Sequence, residues 1–282
     1  MLSAALTKRG HTVTGLSYQS PSAPEADLNI FDEIVNPDLI RFAPRSWVMP
    51  HPEWWYDEWD QYLPRFEKVL AKTQDCYKIF KAIAPQTEHI GWRSRDLRDE
   101  GRRERTVIHV AGLSRTKNTE AVIQAWRTFK GLPRLTIVSQ EYKNPRIWGV
   151  KHYRRVPDLK LKRLMNANLI HLLPSAYEGW GHSLHEALGI GAVIVTIDAP
   201  SMNEIGAPVL IPPSRSYQLR HALAHEVSPA DIAQAVRTAA SLSPADVHAI
   251  AHSARSEFEA EAIAFESRLD ALLSGPQEYA RS

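Results

Sequence analysis

The stretch that most constrains the fold runs from residue 168 to residue 196. Residues 168–173 form an apolar run that predicts a short buried strand, and Pro174 ends it. A turn of small and polar residues follows, and Gly181 then opens a segment whose apolar residues recur at helical spacing. A second apolar run at 192–196 predicts the next strand. The unit is therefore strand, glycine-containing loop, helix and strand, which is typical of a parallel α/β sheet.

Two carboxylates lie on either side of the start of this predicted helix. Glu178 precedes the helix, and Glu186 stands eight residues later, within the helix. The backbone N–H groups at a helix start, together with the positive end of the helix dipole, suit an anion such as a diphosphate. Carboxylates so close to a phosphate would repel it. We therefore expect Glu178 and Glu186 to accept hydrogen bonds from sugar hydroxyls on either side of the phosphate.

These residues carry a resemblance to a known family. The run E-G-W-G-H-S-L-H-E-A-L-G-I-G-A-V-I-V, which begins at Glu178, resembles the E-G-F-G-x-x-x-x-E-A-M-A-x-G-x-P-V-V signature of retaining GT-B glycosyltransferases, family 4 in particular. The resemblance implies an α/β fold of GT-B type, with two Rossmann-like parallel-sheet domains, a cleft between them and a reduced N-terminal domain. It also implies a retaining, hexosyltransferase-like reaction that needs no metal and no cofactor. The donor would be a nucleotide-diphosphate sugar, such as a UDP- or GDP-sugar.

Composition limits the other possibilities. A length of 282 residues is enough for two domains of ordinary size. Cys76 is the one cysteine, so a disulfide framework and a cysteine-based zinc site are both excluded. No run of about twenty apolar residues is present, and we expect no transmembrane segment and a cytoplasmic location. We predict an N-terminal acceptor-side domain at 1–98, a nucleotide-sugar-binding domain at 99–257, and a C-terminal helix at 258–282 that crosses back to the first domain.

The start of the chain departs from the family pattern. In such enzymes a K-R-G-H-x-V-T segment follows a first strand and a glycine-rich loop, whereas here it stands at residues 8–14. We expect a naturally reduced N-terminal domain rather than a trimmed one. Residues 11–18 alternate in polarity and predict a strand. Residues 93–105 hold six arginines and four acids with almost nothing to bury, which indicates a solvated hinge between the domains.

Polar residues follow several predicted strands of the N-terminal half. In parallel α/β sheets, ligands bind beyond the carboxyl ends of the strands. His51 and Glu53 stand at one such end, and Lys72 and Thr73 at the next. We assign Glu53 and Thr73 to the acceptor side. His51 is a candidate catalytic residue that orients the acceptor or takes its proton, against the alternative of a structural histidine.

A second loop supplies positive charge. Residues 107–111 predict a strand and 118–129 a helix, and in the family the intervening loop reads G-R-L-x-x-x-K-G, whose Arg and Lys hold the donor diphosphate. Lys117 matches that lysine, but Gly112 stands where the arginine is usual. We expect Arg115 to supply the missing charge and Ser114 to donate a hydrogen bond.

The remaining elements are read from periodicity. Residues 55–66 predict an aromatic helix, and 208–213 predict the last strand. Helices are predicted at 230–242 and 246–273, the second with a break near Glu257.

Residues 143–163 are strongly basic. They hold eight Lys or Arg against Asp158, with Trp148 and Tyr153 between them. One interpretation is a solvated face; the other is a surface that contacts a polyanion, because cations interleaved with aromatics can follow a nucleic-acid backbone and stack on its bases. In the resemblance, residues 153–156 correspond to the loop that meets the nucleotide base.

The resemblance assigns roles to the residues of the signature. Backbone N–H groups of the Gly179–Ser183 turn and the Lys117 side chain would bind the donor diphosphate, and Glu178 and Lys117 are the catalytic candidates. Glu178 would accept from the donor sugar and Glu186 from the ribose. The donor-binding set is Ser114, Arg115, Lys117, Gly179, Gly181, His182, Ser183 and Glu186.

Three hypotheses of function stay open at this point. The first is a glycosyltransferase whose acceptor is a glycan, a lipid or a small molecule. The second is a phage-type enzyme that glycosylates hydroxymethylated bases in DNA. The third is a non-catalytic GT-B remnant that binds a nucleotide sugar.

Overall fold

The chain divides into two compact units. In the computed structural model, which describes residues 1–274, Met1–Ser94 and residues 260–274 form the first unit, and Arg95–Glu259 form the second. The predicted domain boundaries lie at 98/99 and 257/258. Residues 275–282 of the predicted C-terminal segment lie outside the described residues. No helix within residues 1–274 has the length and apolar character needed to cross a membrane.

The first unit is built on a four-stranded parallel sheet. Its strands lie in chain order, and two helices, two 3₁₀ helices and the end of the C-terminal helix accompany them. The elements are α1 (Leu2–Lys8), β1 (Leu28–Asp32), a 3₁₀ helix (Pro37–Phe42), β2 (Arg45–Met49), a 3₁₀ helix (Asp57–Arg65), β3 (Lys68–Ala71), α2 (Gln74–Lys81) and β4 (Thr87–His89). Because all four strands are parallel, the residues that follow them share one edge of the sheet.

Aromatic side chains fill the core of this unit. Trp55 is fully buried and makes edge-to-face contacts with Trp59 and with Phe80. The helix predicted at 55–66 is a 3₁₀ helix over Asp57–Arg65. Pro64 fits the end of this helix, because proline lacks an amide proton and disfavours the α conformation in the residue before it.

The strand predicted at residues 11–18 is wrong. The backbone there belongs to no strand, and Leu16 and Tyr18, which would have shared one face, are both exposed, while no residue of the other face is buried. A strand is stabilised by packing one face on a core, and this segment buries neither face. Gly15, in its middle, adds no side chain to pack.

The second unit contains a six-stranded, fully parallel sheet of order β10-β9-β8-β5-β6-β7. Counted within the unit, this is the 3-2-1-4-5-6 order of dinucleotide-binding sheets. The elements are β5 (Glu104–Gly112), α3 (Thr119–Thr128), β6 (Leu135–Ser139), β7 (Val150–Tyr153), α4 (Asp158–Ala167), β8 (Asn168–Leu172), α5 (His182–Ile190), β9 (Val193–Ile197), a 3₁₀ helix (Met202–Ile205), β10 (Val209–Ile211), β11 (Arg215–Leu219), β12 (Ala222–Glu226) and α6 (Pro229–Ser241). The final helix, α7 (Pro244–Leu273), begins in this unit and its residues from Ala260 belong to the first unit.

The central strands of this sheet are buried on both faces. Val107, Ile137, Ile170 and Val195, one from each of four adjacent strands, are fully buried. Strands covered on both faces read as continuous apolar runs. That is why the runs at 107–111, 168–173 and 192–196 predict these strands to within one to three residues at each end.

Three features of the second half differ from the prediction. The strand at 208–213 is not the last one, because an antiparallel hairpin of β11 and β12 follows it. The hairpin turn is Arg220-His221, with Arg220 at a positive φ of 55°, so it lacks the Asn-Gly or Asp-Gly signal that marks such turns. The break expected near Glu257 is absent, since α7 is continuous over thirty residues. The third difference is in the basic segment at residues 143–163, which contains the edge strand β7 although the sequence predicts no strand there.

Candidate functional site

The sheet of the second unit has one topological switch point. β5 and β8 are neighbours, but the chain leaves β5 toward β6 on one side and leaves β8 toward β9 on the other. The loops that follow β5 and β8 therefore diverge, and ligands of such sheets bind in the crevice that this divergence opens beyond the carboxyl ends of the strands. Lys117 lies in the loop after β5 and Glu178 in the loop after β8.

Hydrogen bonds tie these two loops to each other and to the hairpin. The amide of Asn118 donates to the carbonyl oxygens of Pro174 (2.9 Å) and His225 (3.0 Å). The backbone N–H of Ala176 donates to the carbonyl of Thr116 at 2.7 Å. The hairpin that sequence periodicity missed thus helps to fix the position of Lys117.

Lys117 and Glu178 form an ion pair at the switch point. Their side chains are only 15% and 13% exposed, and the ammonium donates to the carboxylate. The main-chain carbonyl of Glu178 accepts a hydrogen bond from the Ser201 hydroxyl. Because both charges are largely removed from water, the loss of either one leaves the other uncompensated, and this is costly for the fold.

Helix α5 begins directly after this pair. Gly181 is its N-cap and adopts the left-handed conformation, with φ 76°. The first amides of a helix, such as that of Ser183, have no acceptor within the helix and carry the positive end of its dipole. The Trp180 ring stacks on His185 at a centroid distance of 3.6 Å. The helix start is therefore rigidly placed beside the ion pair.

The rest of the signature turn surrounds this helix start. Gly179 is buried in the loop, and His182, the first residue of α5, is exposed. The structure thus brings Lys117 and the turn from Glu178 to Ser183 to one place, as the sequence predicts.

Glu186 lies in the second turn of α5 and is 7% exposed. Its Oε1 accepts from the Nε of Arg95 at 2.9 Å, and Arg95 also donates to Asp158 at 3.0 Å. Burial raises the pKa of Glu186, and Arg95 opposes that rise. The Glu186 carboxylate is therefore held by a guanidinium that the sequence did not assign to the site.

Most residues of the solvated hinge predicted at 93–105 are exposed, but several of its arginines and acids have partners in the second unit. Arg95 holds Glu186, and Arg255 of α7 pairs with Asp96 at 2.7 Å. Arg103 donates to the carbonyl oxygens of Ile190 and Gly191, which belong to the end of α5. Alternating arginines and acids are compatible with a solvated face, so composition alone could not reveal these partners.

Two predicted donor residues of the β5 loop are engaged elsewhere. The guanidinium of Arg115 donates to Glu141 at 2.7 Å, and its side chain is 84% exposed. The Ser114 hydroxyl contacts that of Thr116 at 2.9 Å. The charge expected from Arg115 thus pairs with a carboxylate in the loop after β6.

A separate polar cluster occupies the carboxyl edge of the sheet in the first unit. The Lys72 side chain is 4% exposed, and its ammonium lies 2.9 Å from His51 Nε2 and 2.9 Å from Asp32 Oδ1. The same ammonium lies over the ring of Trp92, 4.7 Å from its centroid. The sequence predicts His51 as a site residue and places Lys72 at a strand end without a role, whereas it does not single out Asp32.

This geometry fixes the tautomer of a neutral His51. An ammonium only donates hydrogen bonds, so Nε2 accepts and the proton is on Nδ1. Nδ1 lies 3.4 Å from an oxygen of Glu33 and 3.9 Å from one of Glu53. Burial raises the pKa of Glu33. Thr73 has a different task, because its hydroxyl caps α2 by accepting from the Cys76 amide at 3.1 Å.

Metal ligation is a further possibility for clusters of this kind. Within the part of the chain that the structure describes, no group of three or more His, Cys, Asp or Glu side chains is arranged to hold a metal ion.

Comparison with known proteins places this geometry in context. The family model described as "Glycosyl transferases group 1" matches residues 93–238, which include the β5 loop, the β8 loop and α5. A search of curated protein sequences finds no match to the chain.

Solved structures share the fold at low sequence identity. Anabaena HepE, solved with UDP and glucose, is 17% identical with a TM-score of 0.63, over 82% of this chain and 72% of that one. The UDP-forming α,α-trehalose-phosphate synthase of Burkholderia xenovorans is 11% identical with a TM-score of 0.65, over 87% and 72%. Pneumococcal GtfA, an O-GlcNAc transferase solved with UDP and GlcNAc, is 17% identical with a TM-score of 0.57.

The present chain matches only part of the length of these solved chains. The chain spans 52% of the length of pneumococcal GtfA, while 81% of the present chain is covered. At such identities the likeness establishes the fold alone. The α/β fold of GT-B type, with Rossmann-like parallel sheets, is thereby confirmed.

Proposed function

The chain belongs to the glycosyl transferases group 1 family, and from this premise we propose that it transfers a sugar from a nucleotide-diphosphate sugar to a hydroxyl acceptor. The observation that carries the proposal is the Lys117–Glu178 ion pair at the switch point, next to the start of α5. A partly buried ammonium and a helix start together form a site for an anion, and the adjacent carboxylates suit hydroxyl groups.

The donor diphosphate is the natural ligand of this positive charge. Negative charge develops on the diphosphate as the bond to the sugar breaks, so groups fixed in advance around it stabilise the transition state. Lys117 and the first amides of α5 supply that stabilisation in the proposal. Because they provide the charge that a divalent cation would otherwise provide, we propose a metal-independent reaction.

The two carboxylates of the signature bind different parts of the donor. We assign Glu178 to hydroxyls of the transferred sugar and Glu186 to those of the ribose. Arg95 positions Glu186, since its Nε donates to the same carboxylate at 2.9 Å. The likeness of residues 178–195 to retaining enzymes supports retention of the anomeric configuration.

The cluster of the first unit is assigned to the acceptor. His51 has Lys72 at Nε2 and the carboxylates of Glu33 and Glu53 near Nδ1. A neutral imidazole held in this way orients the carboxylates and is not itself poised to take a proton at Nε2.

Cys76 is a buried free thiol, which fits a reducing location such as the cytoplasm.

A thermal-shift screen against UDP-, GDP- and ADP-sugars tests the proposal. A ligand at about 100 times its dissociation constant adds roughly 2.7 kcal/mol to stability, which raises the Tm of a unit this size by about 5–10 °C. We expect one donor class to produce such a shift. The absence of any shift at millimolar concentrations of all three classes would contradict the proposal. A shift without release of nucleotide, with every acceptor class supplied, would indicate binding without catalysis.

A further inference from the structure

The basic segment at residues 143–163 concentrates the positive charge of the chain. Eight Lys or Arg against one acid give it a formal charge of +7, whereas the whole chain carries +2, so the remainder carries −5. We call these eight residues the basic strip. Its members are Lys143, Arg146, Lys151, Arg154, Arg155, Lys160, Lys162 and Arg163.

The charge of the basic strip is not neutralised within the fold. Over residues 1–274, none of its eight side chains forms an ion pair with a carboxylate. The acid just before the segment and the acid within it both pair with arginines outside the strip, since Glu141 binds Arg115 and Asp158 binds Arg95. Seven of the eight cations are exposed. An ordinary solvated face mixes both signs of charge, so this surface is built for an anion.

The strip is spread over several elements, with Lys151 in the edge strand β7 and Lys160, Lys162 and Arg163 in α4. Trp148 and Gly149 lie just before this strand, and Arg154 and Arg155 lie just after it. At roughly 3.3 Å per residue, the four residues of β7 alone extend about 13 Å. That length exceeds a single phosphate or diphosphate and suits a polymer.

One end of the strip lies at the edge of the sheet that holds the proposed donor site. β5, β6 and β7 are parallel neighbours, so the loops after β5 and β7 share one edge. Two strand spacings of about 4.8 Å separate them. One end of a polymer bound along β7 would therefore lie at the same edge of the sheet as the loop that carries Lys117.

Trp148 adds a second kind of contact. Its side chain is 97% exposed, which is exceptional for so large an apolar ring. Tyr153, the other aromatic ring of the strip, already has the Lys160 ammonium over its face at 4.6 Å. An indole that packs on nothing within its own fold, beside unpaired cations, matches the surfaces on which unpaired bases stack.

We propose that the basic strip binds the phosphate backbone of a single-stranded nucleic acid, with Trp148 stacked on a base, and that this strand is the acceptor. The acceptor assignment rests on the proposed function. In the transfer, a hydroxyl oxygen of the strand forms a bond to the anomeric carbon, and the bond from that carbon to the diphosphate oxygen breaks. The hydroxyl proton leaves with the nucleoside diphosphate, so atoms and charge balance.

Binding of a fluorescent 16-nucleotide single strand, measured by anisotropy across salt concentrations, tests the strip. Each phosphate contact contributes about −0.7 to the slope of log K against log salt. We expect Lys143→Ala with Lys151→Ala to make that slope shallower by about 1.4. Trp148→Ala should weaken binding on the order of 5- to 100-fold and leave the slope unchanged. The control, Arg65→Ala with Lys78→Ala, removes two exposed cations of the first unit and should change neither quantity.

Several results would overturn the inference. One is an affinity for the strand that Lys143→Ala with Lys151→Ala leaves unchanged. Another is tight binding to phosphatidylserine vesicles without binding to the strand, which would make the surface a membrane contact. A failure of the strip to bind nucleic acid is distinguishable from a failure of the proposed function, because the thermal shift with nucleotide sugars does not depend on Lys143 or Lys151. A strand that binds but receives no sugar would overturn the acceptor assignment alone.

Discussion

Replacement of Lys117 by alanine is expected to lower the rate of sugar transfer by about two to three orders of magnitude. The ammonium lies at the switch point, is 15% exposed, and is proposed to meet the charge that develops on the leaving diphosphate. Removal of one such prearranged donor from a comparable site costs about 10²- to 10³-fold in kcat. Steady-state release of nucleoside diphosphate measures the effect.

Two further variants separate catalysis from folding. Lys117→Ala leaves Glu178 as a buried, unpaired carboxylate, so some loss of stability is expected as well. The double variant Lys117→Met with Glu178→Gln removes both charges and should regain stability without regaining activity. Arg115→Ala is the matched control, because Arg115 lies in the same loop as Lys117. Its side chain is 84% exposed and pairs with Glu141. This substitution should change the rate by less than about fivefold. Equal losses for Arg115→Ala and Lys117→Ala would contradict the assignment.

Acidification is expected to destabilise the second unit by several kcal/mol between pH 6.5 and pH 4. His109 and His171 are fully buried, and burial lowers the pKa of each from 6.5 to about 4. In this window the unfolded chain binds a proton at each histidine and the folded chain does not. Stability therefore falls as pH falls, by about 3 kcal/mol per histidine at 1.36 kcal/mol per pKa unit.

The local structure explains why these rings resist protonation. His109 Nδ1 lies 2.8 Å from the carbonyl of Leu172, and Nε2 lies 2.8 Å from the Thr119 hydroxyl. His171 Nε2 bonds to the Met165 carbonyl at 2.9 Å, while its Nδ1 has no hydrogen-bond partner among residues 1–274. A second proton on His171 would thus be a buried donor without an acceptor.

Urea denaturation at several pH values measures this effect. His109→Gln should flatten the dependence of unfolding free energy on pH by about 1.4 kcal/mol per pH unit within the window. His248 is exposed in α7, so His248→Gln should leave the slope as in the wild type. A wild-type slope near zero between pH 6.5 and 4, or equal slopes for wild type and His109→Gln, would contradict the prediction.

The parts of the fold that could be predicted from sequence are those in which apolar pattern and burial agree. The strand, loop and helix from 168 to 190 are such a case, because β8 is buried along its whole length and Gly181 marks the start of α5. The resemblance of this run is confirmed at the level of the glycosyl transferases group 1 family, and it also directed attention to Lys117. The structure places that lysine against Glu178.

Other features depend on contacts that sequence spacing cannot reveal. Arg95 and Glu186 are 91 residues apart in the chain, and nothing in an arginine-rich stretch identifies the one that holds a helix carboxylate. Lys72 and His51 are likewise joined only because β2 and β3 are parallel neighbours. The hairpin of β11 and β12 went unpredicted because Arg220 adopts a left-handed turn conformation without being glycine or asparagine.

Calorimetric binding of nucleoside diphosphates and monophosphates tests the central claim most directly. The wild type and Lys117→Ala are compared with UDP and UMP, GDP and GMP, and ADP and AMP. A charge-assisted hydrogen bond to the terminal phosphate is worth about 1.5–3 kcal/mol. The wild type should therefore bind the diphosphate of one base at least about tenfold more tightly than the monophosphate, and Lys117→Ala should lose most of that preference. The same preference in both proteins would contradict the placement of the donor diphosphate at Lys117.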